Sequence, residues 1–226
     1  MADVLDPPPE PTAADKLLEV AHSVASELPV AGTVVEMLRQ LFGTPYQRRQ
    51  EAWLRALYDL VLELQGRGYD VGELVDRPEF VTAVHDASRI AIGEHLEEKL
   101  EMLKAVLFHA ATSPADPLAD VWTLRYVRWV DELEPQHVQV LRFAADPRGW
   151  LTAAGRNTPE FMGTPRRTVL DLAGLPFADD QLDLVLEDLR DRRLADLGAG
   201  MVSKNAVYSP WITDRGTRFL EWLTIV

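Results

Sequence analysis

Apolar residues recur along most of this chain at helical spacing, and proline- or glycine-containing stretches cut that pattern into segments. This alternation constrains the fold more than any other feature. Leu17, Leu18, Ala21, Val24, Ala25 and Leu28 fall on one face of a helix. Thr12 and Asp15 resemble a capping box at its start, and Pro29 ends or kinks it. Val34, Val35, Leu38 and Phe42 predict a second short helix closed by Gly43. Thr44-Pro45 then restarts the chain, with Thr as N-cap and Pro where a missing N–H costs nothing. Trp53, Leu54, Leu57, Val61 and Leu64 form the buried stripe of that helix, which Gly66 and Gly68 stop. The longest predicted helix runs from Pro78 to Ala111, roughly 50 Å, with Gly93 as a possible bend. Its polar face carries Glu94, Glu97, Glu98, Lys99, Glu101 and Lys104. Ser113-Pro114-Ala115-Asp116-Pro117 breaks the pattern and marks a domain boundary. Leu118 to Leu133 is helical again, anchored by Val121, Trp122, Trp129, Val130 and Leu133.

After Pro135 the pattern shortens. Val138, Leu141 and Phe143 predict one short helix, which Asp146-Pro147 stops. A polar insertion is expected up to Arg167, and Val169, Leu170 and Leu172 predict a second helix. Asp179 or Asp180 caps a third, with Leu182, Val185, Leu186, Leu189 and Leu194 inward. Leu194-Ala195-Asp196 reads as a strand entry, and Gly198-Ala199-Gly200 and Ser203-Lys204-Asn205 as turns. Val207, Tyr208 and Ile212 read as a return strand, and Asp214 as the cap of a last helix. Three helices, a hairpin and a helix make a winged helix. The expected fold is therefore mainly α: a disordered tail over residues 1–11, a helical bundle over 12–112, and a linker helix with a C-terminal winged-helix (α+β) domain over 118–226.

Charge narrows the function. The net charge of −13 repels phosphate backbones and anionic lipid. The predicted third helix and its exit carry Asp179, Asp180, Asp183, Glu187, Asp188, Asp191 and Asp196 against Arg190, Arg192 and Arg193, a balance of −4 (seven acids, three bases). That helix would face DNA in a helix-turn-helix protein, so protein binding fits better than nucleic-acid binding. The opposing signal is an arginine-rich stretch in which Arg148, Arg156, Arg166 and Arg167 are the candidate nucleic-acid contacts.

Chemistry is sparse. The absence of cysteine removes thiolate catalysis, disulfides and Cys-based zinc sites. Gly66-Arg67-Gly68-Tyr69-Asp70-Val71-Gly72 has the wrong spacing for a dinucleotide loop. Glu19 with His22, and Glu134 with His137, have a spacing found in di-iron bundles, but Pro135 interrupts the second pair. No catalytic residue, cofactor or metal is expected. The tail through Thr12 is acidic and proline-rich, unlike a signal peptide, and the apolar stretch 17–42 is broken by Glu19, Glu27, Glu36 and Arg39. A cytoplasmic protein with no resting transmembrane segment is expected. Residues 17–42 could still serve a membrane-acting effector as an amphipathic pair. Exposed apolar stripes on helical bundles commonly pair, which predicts a homodimer.

Leu28-Pro29-Val30-Ala31-Gly32, Arg48-Arg49, the run Glu98-Lys99-Leu100-Glu101-Met102-Leu103-Lys104, Leu133-Glu134-Pro135-Gln136-His137 and Ile212-Thr213-Asp214-Arg215-Gly216 together make the chain resemble bacterial proteins of the abortive-infection alpha type. The resemblance carries no active site. It implies a role in phage defence or stress response, in keeping with a non-enzymatic interaction or regulatory module that binds a protein partner.

Overall fold

The computed structural model describes residues 33–114, 117–156, 166–175, 177–196 and 208–225. The chain divides into two compact units, one ending at Asp131 and the other spanning Glu132–Thr224.

In the first unit, helix α1 (Thr33–Gly66) is followed by the short α2 (Val71–Val75), then α3 (Pro78–Gly93), α4 (Glu97–Thr112) and α5 (Pro117–Glu132). The break expected at Gly43-Thr44-Pro45 does not occur: α1 runs through it. One proline removes a single intrahelical hydrogen bond, and such a local preference yields to the longer pattern around it. The helix ends where Gly68, at φ 86°, takes the left-handed conformation that an L side chain resists. Gly68 N–H then bonds Gln65 O at 2.9 Å and Tyr69 N–H bonds Leu64 O at 3.0 Å, closing the last carbonyls.

The single long helix expected from Pro78 to Ala111 is two. Glu94 sits at the break, and its Oε1 accepts the N–H groups of His95 at 2.7 Å and Leu96 at 3.0 Å. The carboxylate thus satisfies two backbone donors that a continuous helix would have used internally. The three-residue link lets α4 pack against both α3 and α1. Ala105 to Phe108, Ala110 and Ala111 are all buried, so the second half of α4 is enclosed around nearly its whole girth, while Glu97, Glu98 and Glu101 keep a solvent face on the first half. Trp53 is 1% exposed and donates Nε1–H to Ser88 Oγ at 3.0 Å. That hydroxyl passes its own proton to Val84 O at 2.7 Å, so both polar groups are satisfied inside the core. Lys99 is buried as well. Its Nζ donates to Asp131 O at 3.0 Å, near the C-terminus of α5, and lies 3.4 Å from Glu94 Oε2.

In the second unit, α6 (Pro135–Ala145) packs against α9 (Asp179–Asp191) and α10 (Asp214–Trp222), and α7 (Pro147–Ala153) packs against α8 (Arg166–Ala173). Val138, Val140, Leu141, Phe143 and Ala144 of α6 are buried and form the core with Leu189, Leu194, Trp211 and Phe219. Phe143 meets Trp150 and Trp211 edge-on, at centroid separations of 6.1 and 5.4 Å. Part of the expected polar insertion is helical: Pro147 opens α7, and Asp146 caps it by accepting Gly149 N–H at 2.8 Å.

Among the described residues, the sheet of the expected winged-helix (α+β) domain does not form. The described residues contain no strand, only one antiparallel bridge, Ala195 to Ile212. The predicted turns at Gly198–Asn205 lie outside the described residues. The segment expected to form a return strand serves another purpose. Trp211 and Ile212 donate their N–H groups to Ala144 O, at 2.7 and 3.2 Å, closing the end of α6, while Asp196 N–H bonds Trp211 O at 2.7 Å and Thr213 N–H bonds Leu194 O at 3.0 Å across the single bridge. Thr213 then caps α10, its Oγ1 accepting Gly216 N–H at 3.1 Å. Gly216 lies so close to the Leu194 carbonyl that a Cβ would run into it. The second unit, as described, is helical.

Candidate functional site

Helix α9 has two faces. Leu182, Val185 and Leu189 are buried against the unit, while Asp180, Asp183, Leu184, Glu187 and Asp191 are exposed along one outward stripe. Leu184 is 62% exposed, the highest value among the exposed large apolar side chains. Arg190 also faces solvent, 3.8 Å from Glu187, with both side chains more than half exposed. An ion pair in that setting contributes little. The outward stripe is therefore a leucine set among four carboxylates.

Asp188 differs from its neighbours. Its Oδ2 lies 3.1 Å from His137 Nε2, and its Oδ1 lies 3.0 Å from an Arg192 guanidinium nitrogen. The other terminal nitrogen of Arg192 reaches Glu132 Oε2 at 3.0 Å. The backbone N–H of Glu134 donates to His137 Nδ1 at 3.0 Å. Because an amide can only donate, that ring nitrogen is unprotonated, and Nε2–H donates to Asp188. Burial opposes the charge of Asp188, but the hydrogen bonds from His137 and Arg192 outweigh it and hold the carboxyl below its ordinary range. Arg192 is likewise pushed up: burial disfavours its charge, and the bonds to Glu132 and Asp188 more than offset that. This chain of contacts ties the start of α6 to the end of α9. Both ring nitrogens of His137 are occupied within it, so the Glu134-x-x-His137 pair is a helix-start device rather than a pair of ligands. The other pair, Glu19 and His22, lies outside the described residues.

Of the four arginines expected to contact nucleic acid, the side chains of Arg148 and Arg156 are described. Arg148 places its guanidinium 5.5 Å from the Tyr208 ring centre. Arg156 donates to Leu172 O at 2.6 Å, near the end of α8, beside Trp150 Nε1–H, which donates to Ala173 O at 3.1 Å. Both arginines are exposed. Arg166 and Arg167 open α8, and their side chains lie outside the described ones.

Among the described residues, no group of three or more His, Asp or Glu side chains is placed to hold a metal ion. None of their helices is long and apolar enough to cross a membrane. Of the stretch proposed to act on membranes, residues 17–32 lie outside the described residues and 33–42 belong to α1. A crevice between α1 and α3, lined by Leu57, Leu60, Val61, Leu64, Phe80 and Val84, has about 10 Å³ of free space, enough for a single water-sized sphere.

The sequence reading counted Asp188 with the outward acids and missed its pairing with His137. Position 188 lies three residues from Val185 and one from Leu189, at the edge of the buried stripe, and that spacing was the available signal. Comparison of the chain with protein-family models, with curated proteins and with solved structures gives no match.

Proposed function

We propose that the protein is a non-enzymatic interaction module of the bacterial cytoplasm whose C-terminal unit binds a basic protein segment through the outward face of α9. The observation that carries this reading is the 62% exposed Leu184 flanked by Asp180, Asp183, Glu187 and Asp191. An apolar anchor within a ring of one charge suits an amphipathic partner of the opposite charge: the leucine supplies desolvated contact, and the carboxylates steer and orient. The same carboxylates repel a phosphate backbone, which argues against DNA on this face. A role in phage defence or stress response is proposed on the resemblance to abortive-infection alpha proteins alone. Plaque counts on cells with and without the expressed protein test that role.

The binding test uses a fluorescein-labelled amphipathic peptide of lysine and leucine and, in parallel, a labelled random DNA duplex, each followed by fluorescence anisotropy at low and near-physiological salt. The peptide is expected to bind, and Leu184→Glu or the pair Asp183→Lys/Glu187→Lys to weaken it tenfold or more, about 1.4 kcal/mol. The control Glu97→Lys/Glu98→Lys changes charge equally on α4, where both glutamates are exposed. Equal loss in the control means nonspecific attraction to an acidic protein and overturns the reading. So does salt-sensitive DNA binding that Arg148→Ala/Arg156→Ala abolishes.

A further inference from the structure

The outer face of α1 carries a second pattern, independent of the acidic face of α9. Arg48, Glu51, Arg55, Tyr58, Leu62 and Gln65 are all exposed and are spaced alternately by three and four residues, as along the seam of a coiled coil. Tyr69 follows four residues later, just past the turn at Gly68. Tyr58, Leu62 and Tyr69 are 46%, 48% and 40% exposed, while Trp53, Leu57, Leu60, Val61 and Leu64 bury the opposite side.

We infer that this face pairs with the same face of a second copy of the chain, the two helices antiparallel about a two-fold axis level with residue 60. The face is self-complementary within the helix. About that axis Tyr58 lies over Leu62 of the other copy, and Leu62 over its Tyr58. Arg55 meets Gln65, a guanidinium against an amide oxygen. The Tyr58–Leu62 pairs sit at the centre and the Arg55–Gln65 pairs outside them. A parallel pairing would stack Arg55 on Arg55 and Glu51 on Glu51, and like charges in register disfavour it. A face whose central positions 55, 58, 62 and 65 find suitable partners in their own reversed copy fits a second copy better than it fits an unrelated surface. The paired seam from residue 55 to 65 is about 15 Å long, so the contact is small and its dimer depends on concentration.

The full-length protein is examined by sedimentation velocity between roughly 1 and 300 µM, a range suited to a weak two-fold contact. The wild type is expected to shift from monomer to dimer, and Leu62→Lys to remain monomeric with an unchanged circular dichroism spectrum. Orientation is read by crosslinking. The chain has no cysteine, so an equal mixture of Tyr58→Cys and Leu62→Cys proteins gives only three disulfide dimers, which differ in mass. The mixed 58–62 product is expected to exceed its statistical half under mild oxidation. A wild type that stays monomeric, a dimer indifferent to Leu62→Lys, or predominance of the like-with-like disulfides overturns the inference.

Discussion

Lys99 and Glu94 are expected to be energetically coupled, and the structure sets the size of the effect. The Lys99 side chain is 4% exposed and that of Glu94 is 13% exposed. Lys99→Met keeps the apolar stem and removes the ammonium. Asp131 O loses that donor, while Glu94 keeps the N–H groups of His95 and Leu96. Depriving a part-buried acceptor of its donor costs about 1–3 kcal/mol. Glu94→Ala removes more, because it takes away the acceptor of the His95 and Leu96 N–H groups in the link and leaves a buried ammonium beside a carbonyl. Breaking one side of a buried ion pair costs about 3–5 kcal/mol, and the surviving bond to Asp131 offsets part of that. The expected total for Glu94→Ala is about 3 kcal/mol. In the double variant no cation is left stranded, so its cost should fall at least ~1 kcal/mol short of the sum of the single costs. The assay is urea unfolding followed by circular dichroism. Hydrogen exchange across residues 97–112 assigns the transition that contains α4. Additivity within about 0.5 kcal/mol would mean that the two side chains do not depend on each other and would rule out the coupling.

Three further outcomes follow from the same geometry. Arg193 has φ 54° at the end of α9, where Leu194 N–H bonds Leu189 O at 2.9 Å and Arg193 N–H bonds Arg190 O at 2.8 Å. Relieving an L residue there is worth about 1–2 kcal/mol and the added freedom of glycine costs about 0.5–1, so Arg193→Gly should raise the urea midpoint by about 0.5–1 kcal/mol of stability. Gly216→Ala drives a methyl into the Leu194 carbonyl, backbone that cannot swing aside, and should cost about 1–3 kcal/mol or more by the same assay, whereas Thr217→Ala on the exposed neighbour should cost less. Glu94 and Asp188 are both held below their ordinary values of 4.5 and 3.8, so on acidification the unfolded state takes up protons first. Their contribution is complete above about pH 4.5 and disappears as pH falls through the depressed folded-state values, so thermal scans from about pH 6 to pH 3 should show a loss of stability that Asp188→Asn makes shallower.

Most helices were legible in the sequence from apolar spacing. Leu118–Leu133 was expected and Pro117–Glu132 found, and Pro135 opens its helix as expected. Asp179 and Asp214, read as caps, are instead the first helical residues, with Ala178 and Thr213 in the cap positions. Errors came where one local signal was asked to decide alone. Gly43 and Pro45 looked like a helix end but lie within a long helix, while Glu94, read as one more solvent-facing acid, makes the break between α3 and α4. The winged helix failed for a similar reason. Ala195 and Ile212 do meet, as the strand reading required, and Asp196 and Thr213 N–H bond across them, but among the described residues they make one bridge, and the amides of Trp211 and Ile212 go to Ala144 O. Alternation in sequence shows which side chains can turn inward, whereas the partners of the backbone amides depend on tertiary neighbours that no local pattern contains.

The same distinction bears on the face proposed to bind a partner. A count of acids along α9 treats Asp183, Glu187, Asp188 and Asp191 alike, yet they differ in what they can offer. Asp188 is held by His137 and Arg192, and Glu132 is drawn into the same chain of contacts; a ligand competing for either would have to break bonds that link α6 to α9. Glu187 and Asp191 face solvent beside Leu184, and the exposed pair of Glu187 with Arg190 at 3.8 Å contributes little. Replacing Asp188 should therefore weaken the second unit and affect binding only through that loss, whereas replacing Glu187 should affect binding and leave stability nearly unchanged. A variant series measured for both quantities separates the two groups. If Asp188→Asn reduced peptide binding as much as Glu187→Gln at unchanged stability, the assignment of inward and outward carboxylates would be wrong.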